Sequence, residues 1–349
     1  MAKSHESEES YPVEWETPDC PLCGSDRWRL RMRAGDLLHR TRGCFQLVEC
    51  RDCRHVYVSP RPTRESIGRF YPQDYAPHTP RGGRGGTAST PPGGGAATFP
   101  AWYLSRPIRL VPGLRRLYHW LRESYGEIMP PLDAPGRRAL ELGCAGGRFL
   151  EMLRGAGWQA EGIEPASAPA AEARQLGFRV HHGAFEPGLF ADNSFDAVFA
   201  WMVLEHLHDP LGTLDEIQRI LKPDGWFIFS VPNWACWEPA VFERYWYCLQ
   251  PPIHLHQFTP RGLRRILAQT GYRDVRVIHQ HNVFNLLGSL GLWLRTAFPQ
   301  RRLGPRLLEF LVNPSVGGQL ALAPLAKPLA WLHQGGRLTV TARVEKAKA

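Results

Sequence analysis

From residue 137 onward, apolar stretches alternate with stretches in which apolar residues recur at helical spacing. The apolar stretches predict strands, and the helically spaced stretches predict helices. The predicted strands are residues 138–142, 159–163, 178–181, 195–200, 226–231, 274–279 and 337–344. The predicted helices are residues 148–156, 166–176, 210–221 and 260–270.

Strands that alternate with helices at this spacing are typical of a parallel sheet with helices on both faces. The sequence therefore predicts an α/β fold built on a doubly wound, seven-stranded, Rossmann-like sheet. About 55 leucine-rich residues broken by prolines separate the last two strands, and they predict a helical insertion at residues 282–336.

The chain before this region divides into three further parts. Residues 1–17 are polar and predict a disordered tail, and residues 18–77 carry two pairs of cysteines and predict a small separate module. Residues 78–100 are rich in glycine and proline and predict a linker, since such sequence cannot bury a core. The main domain then spans residues 101–349, and leucines at helical spacing predict a helix within 101–130.

Charge and composition exclude few classes of function. The 349 residues carry a formal charge of +9, almost all of it from arginine. The basic residues are scattered, which does not favour a nucleic-acid partner. The N-terminus lacks a signal-peptide pattern and no run of about 20 residues is free of charge and proline, so we expect a cytoplasmic protein. Its eight cysteines are then thiols or metal ligands.

A glycine-rich segment, Glu141 to Gly147, lies between the first predicted strand of the main domain and its first helix. Small residues at such a turn let the backbone approach a ligand, and the helix N-terminus offers unpaired N–H groups. In open α/β sheets, nucleotides bind at this position. Glu164 ends the next strand, where it can accept hydrogen bonds from two ribose hydroxyls.

Two nucleotide ligands compete for this loop. A nicotinamide dinucleotide calls for a third glycine where Arg148 stands. A nucleoside that bears an amino acid needs no pyrophosphate site, and Glu141 can hold its ammonium group.

Five segments in order resemble class I S-adenosylmethionine-dependent methyltransferases. They are Glu141 to Gly147, Gly162-Ile-Glu164-Pro, His182-Gly-Ala-Phe185, the stretch from Ser194 to Pro210, and Leu221-Lys-Pro-Asp-Gly225-Trp. The resemblance implies S-adenosylmethionine as the cofactor. It implies that the methionine end of the cofactor contacts Glu141, Gly143, Ala145 and Gly147. It implies that the ribose contacts Glu164 and that the adenine contacts Ala184 and Phe185. The sulfonium is then expected near Ala200 and Trp201.

Two C-x2-C pairs, Cys20 with Cys23 and Cys50 with Cys53, mark the N-terminal module. This spacing lets both thiolates of a pair face one cation, and four thiolates suit a closed, structural zinc site. A redox dithiol and buried free thiols are the alternatives. The strands predicted at 28–33 and 45–49 form a hairpin that spans the 26 residues between the pairs.

The module resembles the N-terminal zinc ribbon of some bacterial methyltransferases, including sugar C-methyltransferases. The segment from Arg61 to Tyr75 shares this resemblance. In the sugar enzymes, the implied substrate is a nucleotide-linked deoxysugar.

Residues 234–258 are dense in aromatics and follow the fifth strand on the ligand side of the sheet, which predicts a substrate loop. The loop contains His254 and His256, and either can act as a general base for a hydroxyl acceptor. His206, which follows the fourth strand, is a third candidate catalytic residue. For each of the three, a purely structural role is the alternative, and methyl transfer needs no obvious base if positioning supplies the rate.

The insertion at residues 282–336 has three interpretations. It can pack inside the protein, lie on a membrane surface as a peripheral contact, or form an oligomer interface. The sequence does not fix the oligomeric state.

We therefore expect a cytoplasmic or membrane-peripheral enzyme that transfers a methyl group from S-adenosylmethionine to a small molecule or a glycan, including a nucleotide-linked or lipid-linked sugar. The alternatives are a nucleic-acid-modifying methyltransferase or adaptor that binds through the zinc ribbon, and a nicotinamide-dependent oxidoreductase.

Overall fold

A computed structural model describes residues 12–72, 75, 136–312 and 316–345. The predicted linker at 78–100 and the predicted helix within 101–130 lie outside the described residues. So do residues 1–11 of the predicted N-terminal tail.

The N-terminal module is built on two small antiparallel sheets. Its strands are β1 (Trp15–Glu16), β2 (Trp28–Ala34), β3 (Phe45–Cys50), β4 (Val56–Val58) and β5 (Arg61–Pro62). Strands β2, β3 and β4 pair in sequence order, so the predicted hairpin is present. Strand β1 pairs with β5, and the Trp15 ring packs on Phe45 and Phe70 at 6.3 and 5.9 Å. Residues 12–17, at the end of the predicted tail, are therefore part of the module, because Trp15 packs against two of its aromatic rings.

The main domain alternates strands and helices as the sequence predicts. The helices are α1 (Arg148–Gly155), α2 (Ser167–Gln175), α3 (Pro210–Ile220), α4 (Glu238–Phe242), α5 (Pro260–Gln269), α6 (Phe284–Ala297), α7 (Leu303–Val312) and α8 (Val316–Trp331). The strands are β6 (Arg138–Leu142), β7 (Gln159–Glu164), β8 (Arg179–His182), β9 (Phe195–Trp201), β10 (Leu221–Pro232), β11 (His256–Gln257), β12 (Tyr272–His279) and β13 (Arg337–Val344).

All of these strands except β11 form one sheet, with the order β12-β13-β10-β9-β6-β7-β8, which confirms the predicted seven-stranded sheet. Strands β8, β7, β6, β9 and β10 are parallel, and β13 runs antiparallel between β10 and β12. The chain moves outward from β6 in one direction and returns to β9 on its other side. The crevice between the carboxyl ends of β6 and β9 is therefore the topological switch point, where ligands bind in such sheets.

Strand β11 does not belong to the large sheet. It pairs antiparallel with β4 and makes the fourth strand of the module's sheet. The segment predicted as a substrate loop therefore also holds the two parts of the chain together. Buried module residues such as Val48 and Tyr57 share a hydrophobic core with Leu140 and Phe229 of the large sheet.

Buried hydrogen bonds reinforce this contact. The His55 and His256 rings are hydrogen-bonded through Nε2 and Nδ1 at 3.0 Å, and His256 Nε2 donates to the Leu207 carbonyl at 2.7 Å. Arg61 donates to the carbonyl of His208 at 3.1 Å. The module thus binds the turn that follows β9.

The insertion forms helices, as predicted. One face of α6 is buried, including Phe284, Gly288 and Leu292, and Gly288 lies so close to Tyr247 that a Cβ would clash with its ring. This part packs inside the protein. None of the helices in the described part of the chain is long and apolar enough to cross a bilayer.

Replacing His256 should loosen the contact between the module and the main domain. His256→Ala leaves His55 and the Leu207 carbonyl buried without their present partner, and each such group costs about 1–3 kcal/mol. We expect the free energy of unfolding in urea to fall by roughly 2–4 kcal/mol. His181→Ala, at an exposed position on β8, is the control. Equal stability of the two variants would show that the buried pair does not hold the contact.

Candidate active site

The glycine loop connects β6 to α1 at the switch point. Gly143 and Gly147 have φ angles of 69° and 80°, in the left-handed region that favours glycine. A Cβ on Gly147 would also lie 3.0 Å from the Cβ of Ala173. The loop therefore needs glycine at both positions to bring its backbone to the ligand.

Ala145 also has a positive φ, 45°, although it carries a Cβ. Its N–H donates to Oε2 of Glu164 at 2.8 Å, while Oε1 of Glu164 accepts from the N–H of Ala166 at 2.9 Å. Burial raises the pKa of Glu164, and these two hydrogen bonds oppose the rise. Glu164 thus fixes the glycine loop at the carboxyl end of β7.

The structure brings together most of the predicted cofactor residues. Glu141, Glu164, Ala200 and Trp201 all lie at or near the carboxyl ends of β6, β7 and β9, and Ala184 and Phe185 follow β8. The Trp201 ring packs edge-on against Phe149 of α1 at 5.2 Å. Its indole N–H is buried and has no hydrogen-bond partner in the described part of the chain. A polar ligand in the crevice would supply that partner, so these residues fit a nucleoside-type cofactor.

Three titratable side chains meet just beyond β9. Glu205 and His206 lie on a short 3-10 turn, Leu204–His206, and His254 approaches from the aromatic segment. One possible ligand atom from each lies within 4.8 Å of the others, and the two imidazole rings are 4.7 Å apart. The backbone supports this arrangement, because the N–H of Leu255 donates to the Glu205 carbonyl at 2.7 Å. We call these three residues the Glu-His cluster.

The orientation of His254 follows from its hydrogen bond. Nδ1 of His254 lies 2.7 Å from the carbonyl oxygen of Cys248, which can only accept, so Nδ1 carries the proton. Burial, and then the charge of His206, hold the pKa of His254 well below its ordinary value. The ring is therefore neutral, with a lone pair on Nε2.

Glu205 is fully buried, and neither of its carboxylate oxygens has a hydrogen-bond partner in the described part of the chain. Burial raises its pKa to about 8, against the opposing effect of the Arg337 charge. Such a carboxyl group is costly for the fold and indicates a functional site. Sequence reasoning placed it only as the neighbour of His206, and burial is the property that distinguishes it.

His206 is connected to the N-terminal module. Its Nδ1 lies 3.0 Å from the hydroxyl of Tyr71, so a residue of the module completes the cluster. Burial raises the pKa of Tyr71, and the charges of Glu205 and Glu164 raise it further. The phenol therefore contacts the Glu-His cluster through His206. Sequence reasoning noted Tyr71 only within a motif and assigned it no role.

His256, the remaining predicted catalytic candidate, lies elsewhere. Both of its ring nitrogens are engaged, one with His55 and one with the Leu207 carbonyl. This geometry gives it a structural position at the contact between the module and the main domain.

The four predicted metal-binding cysteines converge. The Sγ atoms of Cys20 and Cys53 are 3.4 Å apart, and those of Cys23 and Cys50 are 3.6 Å apart. Thiolates at about 2.3 Å from a tetrahedral zinc ion lie roughly 3.8 Å from one another, so the spacing fits zinc. Cys44 is exposed and outside this group. The described residues thus offer two groups that can hold a metal ion, the four cysteines and the Glu-His cluster.

The fold and this crevice define a Rossmann-like enzyme that binds a nucleoside-type ligand beside titratable groups. A family model for a methyltransferase domain matches residues 115–277. A ubiquinone biosynthesis O-methyltransferase from Dinoroseobacter shibae is 31% identical over 185 residues, which cover 49% of this chain and 75% of that protein.

Two other relatives match over a smaller share of their length. A ubiquinone biosynthesis O-methyltransferase from Burkholderia vietnamiensis is 32% identical over 134 residues, which cover 36% of this chain and 55% of that protein. A Mycolicibacterium smegmatis protein named "Probable S-adenosylmethionine-dependent methyltransferase" is 31% identical over 169 residues, which cover 47% of this chain and 63% of that protein.

The chain belongs to the family of S-adenosylmethionine-dependent methyltransferases. Family membership favours the methyl donor over the nicotinamide dinucleotide as the ligand of the crevice.

Removing the Glu164 carboxylate should weaken cofactor binding. We expect Glu164→Ala to raise the dissociation constant of S-adenosylhomocysteine by roughly 10- to 100-fold, because hydrogen bonds to a charged group contribute about 1.5–3 kcal/mol. Isothermal titration calorimetry measures the effect. Glu161→Ala is the control, since Glu161 lies on the same strand but pairs with Arg138 and Arg179. Unchanged affinity in Glu164→Ala would refute the ribose assignment.

Proposed function

We propose that this protein transfers a methyl group from S-adenosylmethionine to a hydroxyl group of a small-molecule or glycan-type acceptor, with His254 as the general base. The observation that carries the proposal is the His254 ring of the Glu-His cluster, which donates through Nδ1 to the Cys248 carbonyl and so keeps the basic lone pair on Nε2. The relatives that are named O-methyltransferases support a hydroxyl acceptor.

The roles divide between the two sides of the crevice. When bound, the cofactor would supply an electrophilic methyl group on a sulfonium, whose sulfur would keep the electron pair of the broken C–S bond. Glu141, Glu164 and the glycine loop would hold the donor. Ala184 and Phe185 would flank its base, and Ala200 and Trp201 would lie beside the sulfonium. His254 Nε2 accepts the hydroxyl proton. Tyr71 positions His206 through its hydrogen bond.

A groove beside the aromatic segment supports a phosphorylated acceptor, such as a nucleotide-linked or lipid-linked sugar. It has a volume of about 560 Å³ and lies between the module's sheet and Trp234. The lining of this groove contains three arginines and one carboxylate, so it carries a net positive charge. These residues are Arg29, Arg31, Arg54 and Glu49. Labelled methyl transfer to a panel of nucleotide sugars and lipid-linked glycans tests this class. Label in RNA alone would favour a nucleic-acid-modifying enzyme instead.

Loss of the proposed base should reduce turnover without reducing cofactor affinity. We expect His254→Asn to lower kcat by roughly 10²- to 10⁴-fold, the usual contribution of a general base, while the affinity for S-adenosylhomocysteine stays unchanged. Steady-state transfer of the labelled methyl group at saturating substrate measures kcat. His333→Asn is the matched control, because His333 is exposed and has a φ of 58° that asparagine tolerates.

The pH dependence separates His254 from Glu205 as the base. Because burial keeps the pKa of His254 well below its ordinary value, the base is already neutral at pH 7, and kcat should be level between pH 6.5 and 9. A Glu205 base, with a pKa of about 8, would make kcat rise with pH up to that value, about tenfold per unit. A rise of that kind would identify Glu205, instead of His254, as the general base.

We also propose that Cys20, Cys23, Cys50 and Cys53 bind a structural zinc ion. The support is the convergence of four sulfurs, two pairs of which are 3.4 and 3.6 Å apart, since a set of four thiolates is typical of a structural zinc site. A zinc ion there would fix both turns of the module, and with them β3 and β4. This closed site has no role in the transfer step.

Purified protein should contain one zinc ion per chain, as measured by inductively coupled plasma mass spectrometry. Cys53→Ser should lose most of the zinc and leave the module sensitive to limited proteolysis, because structural zinc contributes directly to folding. Cys44→Ser, outside the cluster, should keep both zinc and protease resistance. A metal-free wild-type protein with a protease-resistant module would contradict the zinc assignment.

A further inference from the structure

The connection between α6 and α7 projects large apolar side chains into solvent. We call residues 293–306 the hairpin tip. Trp293 is 41% exposed, Phe298 is 50% exposed and Leu303 is 57% exposed. The Trp293 and Phe298 rings lie 6.0 Å apart, so they form one patch. Exposed apolar groups clustered in this way mark an interaction surface.

The hairpin tip is also strongly cationic. It contains four arginines and no aspartate or glutamate. Arg301, Arg302 and Arg306 are exposed, whereas Arg295 is half-buried and donates to the Leu37 carbonyl of the module. The apolar patch is therefore flanked by three exposed guanidinium groups.

We propose that the hairpin tip binds the surface of an anionic lipid bilayer. Tryptophan, phenylalanine and leucine can enter the headgroup region to a shallow depth, while arginines pair with anionic headgroups. The buried face of α6 packs against the protein, whereas the hairpin tip is mostly exposed. The two helices have 14 and 10 residues, too few to span the roughly 30 Å hydrocarbon layer, so the contact is peripheral.

A second copy of the chain fits the hairpin tip less well. A two-fold contact would bring the two tips together and place three guanidinium groups of one copy against those of the other. Three apolar side chains also provide far less area than the roughly 1,200 Å² that a stable interface buries. Charge complementarity therefore favours an anionic surface.

Co-sedimentation of the full-length protein with lipid vesicles tests the proposal. We expect binding to vesicles of phosphatidylglycerol and phosphatidylcholine, much weaker binding to phosphatidylcholine alone, and weakening by salt. Each arginine contributes about fivefold to such binding, so Arg301→Glu combined with Arg302→Glu should lower the partition coefficient at least tenfold. Phe298→Ser combined with Leu303→Ser should also lower it.

Matched controls carry the same changes elsewhere. Arg264→Glu combined with Arg265→Glu changes the net charge equally at exposed positions on α5, and Val241→Ser removes an apolar side chain that is 64% exposed. These controls should bind as the wild type does. The proposal would be overturned if the wild-type protein did not bind vesicles that contain phosphatidylglycerol, or if the tip variants bound them as strongly as the wild type does. A lipid-free dimer that the tip variants convert to monomer would assign the tip to a second copy. None of these readouts depends on methyl transfer, so the proposed activity and the membrane contact can fail separately.

Discussion

The pairing of β11 with β4 is the contact on which the arrangement of the candidate site depends. Two residues of the main domain complete the sheet of the cysteine module, and the buried His55–His256 hydrogen bond lies at this pairing. The same segment carries His254 into the Glu-His cluster, two residues before His256. A strand that joins the module to the main domain therefore also sets the position of the proposed base. The module therefore contributes directly to the candidate site.

Much of the fold can be predicted from local pattern. Strands β6 and β13 have the predicted bounds, because glycines mark their limits: Gly136 and Gly143 flank β6, and Gly335 and Gly336 precede β13. The pairing of β11 could not be predicted, since it joins segments about 200 residues apart and has only two residues. Strand β10 begins five residues before its predicted start, because Leu221 pairs with Phe195 ahead of a register shift.

Those parts of the candidate site that lie within one continuous segment of the chain could be predicted from the sequence. The glycine loop and Glu164 follow from a strand, a turn and a helix in sequence order. The Glu-His cluster combines a short turn with a segment that is distant in the sequence. The sequence pattern does not show that these two segments are in contact. Sequence reasoning treated His254 and His256 alike because they share a face of an extended segment. The structure separates them by their hydrogen bonds, which leave Nε2 available in His254 and engage both ring nitrogens of His256.

Methyl transfer requires the acceptor oxygen and the methyl carbon to approach within about 3–3.5 Å in line. In this protein Glu164 and the glycine loop attach the proposed donor side to the large sheet. The proposed acceptor side includes the 3-10 turn after β9, which has only three residues. Other segments hold this turn, because the Leu207 and His208 carbonyls accept from His256 and Arg61, and His206 contacts Tyr71. Two of these three contacts come from the module, so we expect the fold of the module to affect the geometry of the candidate site.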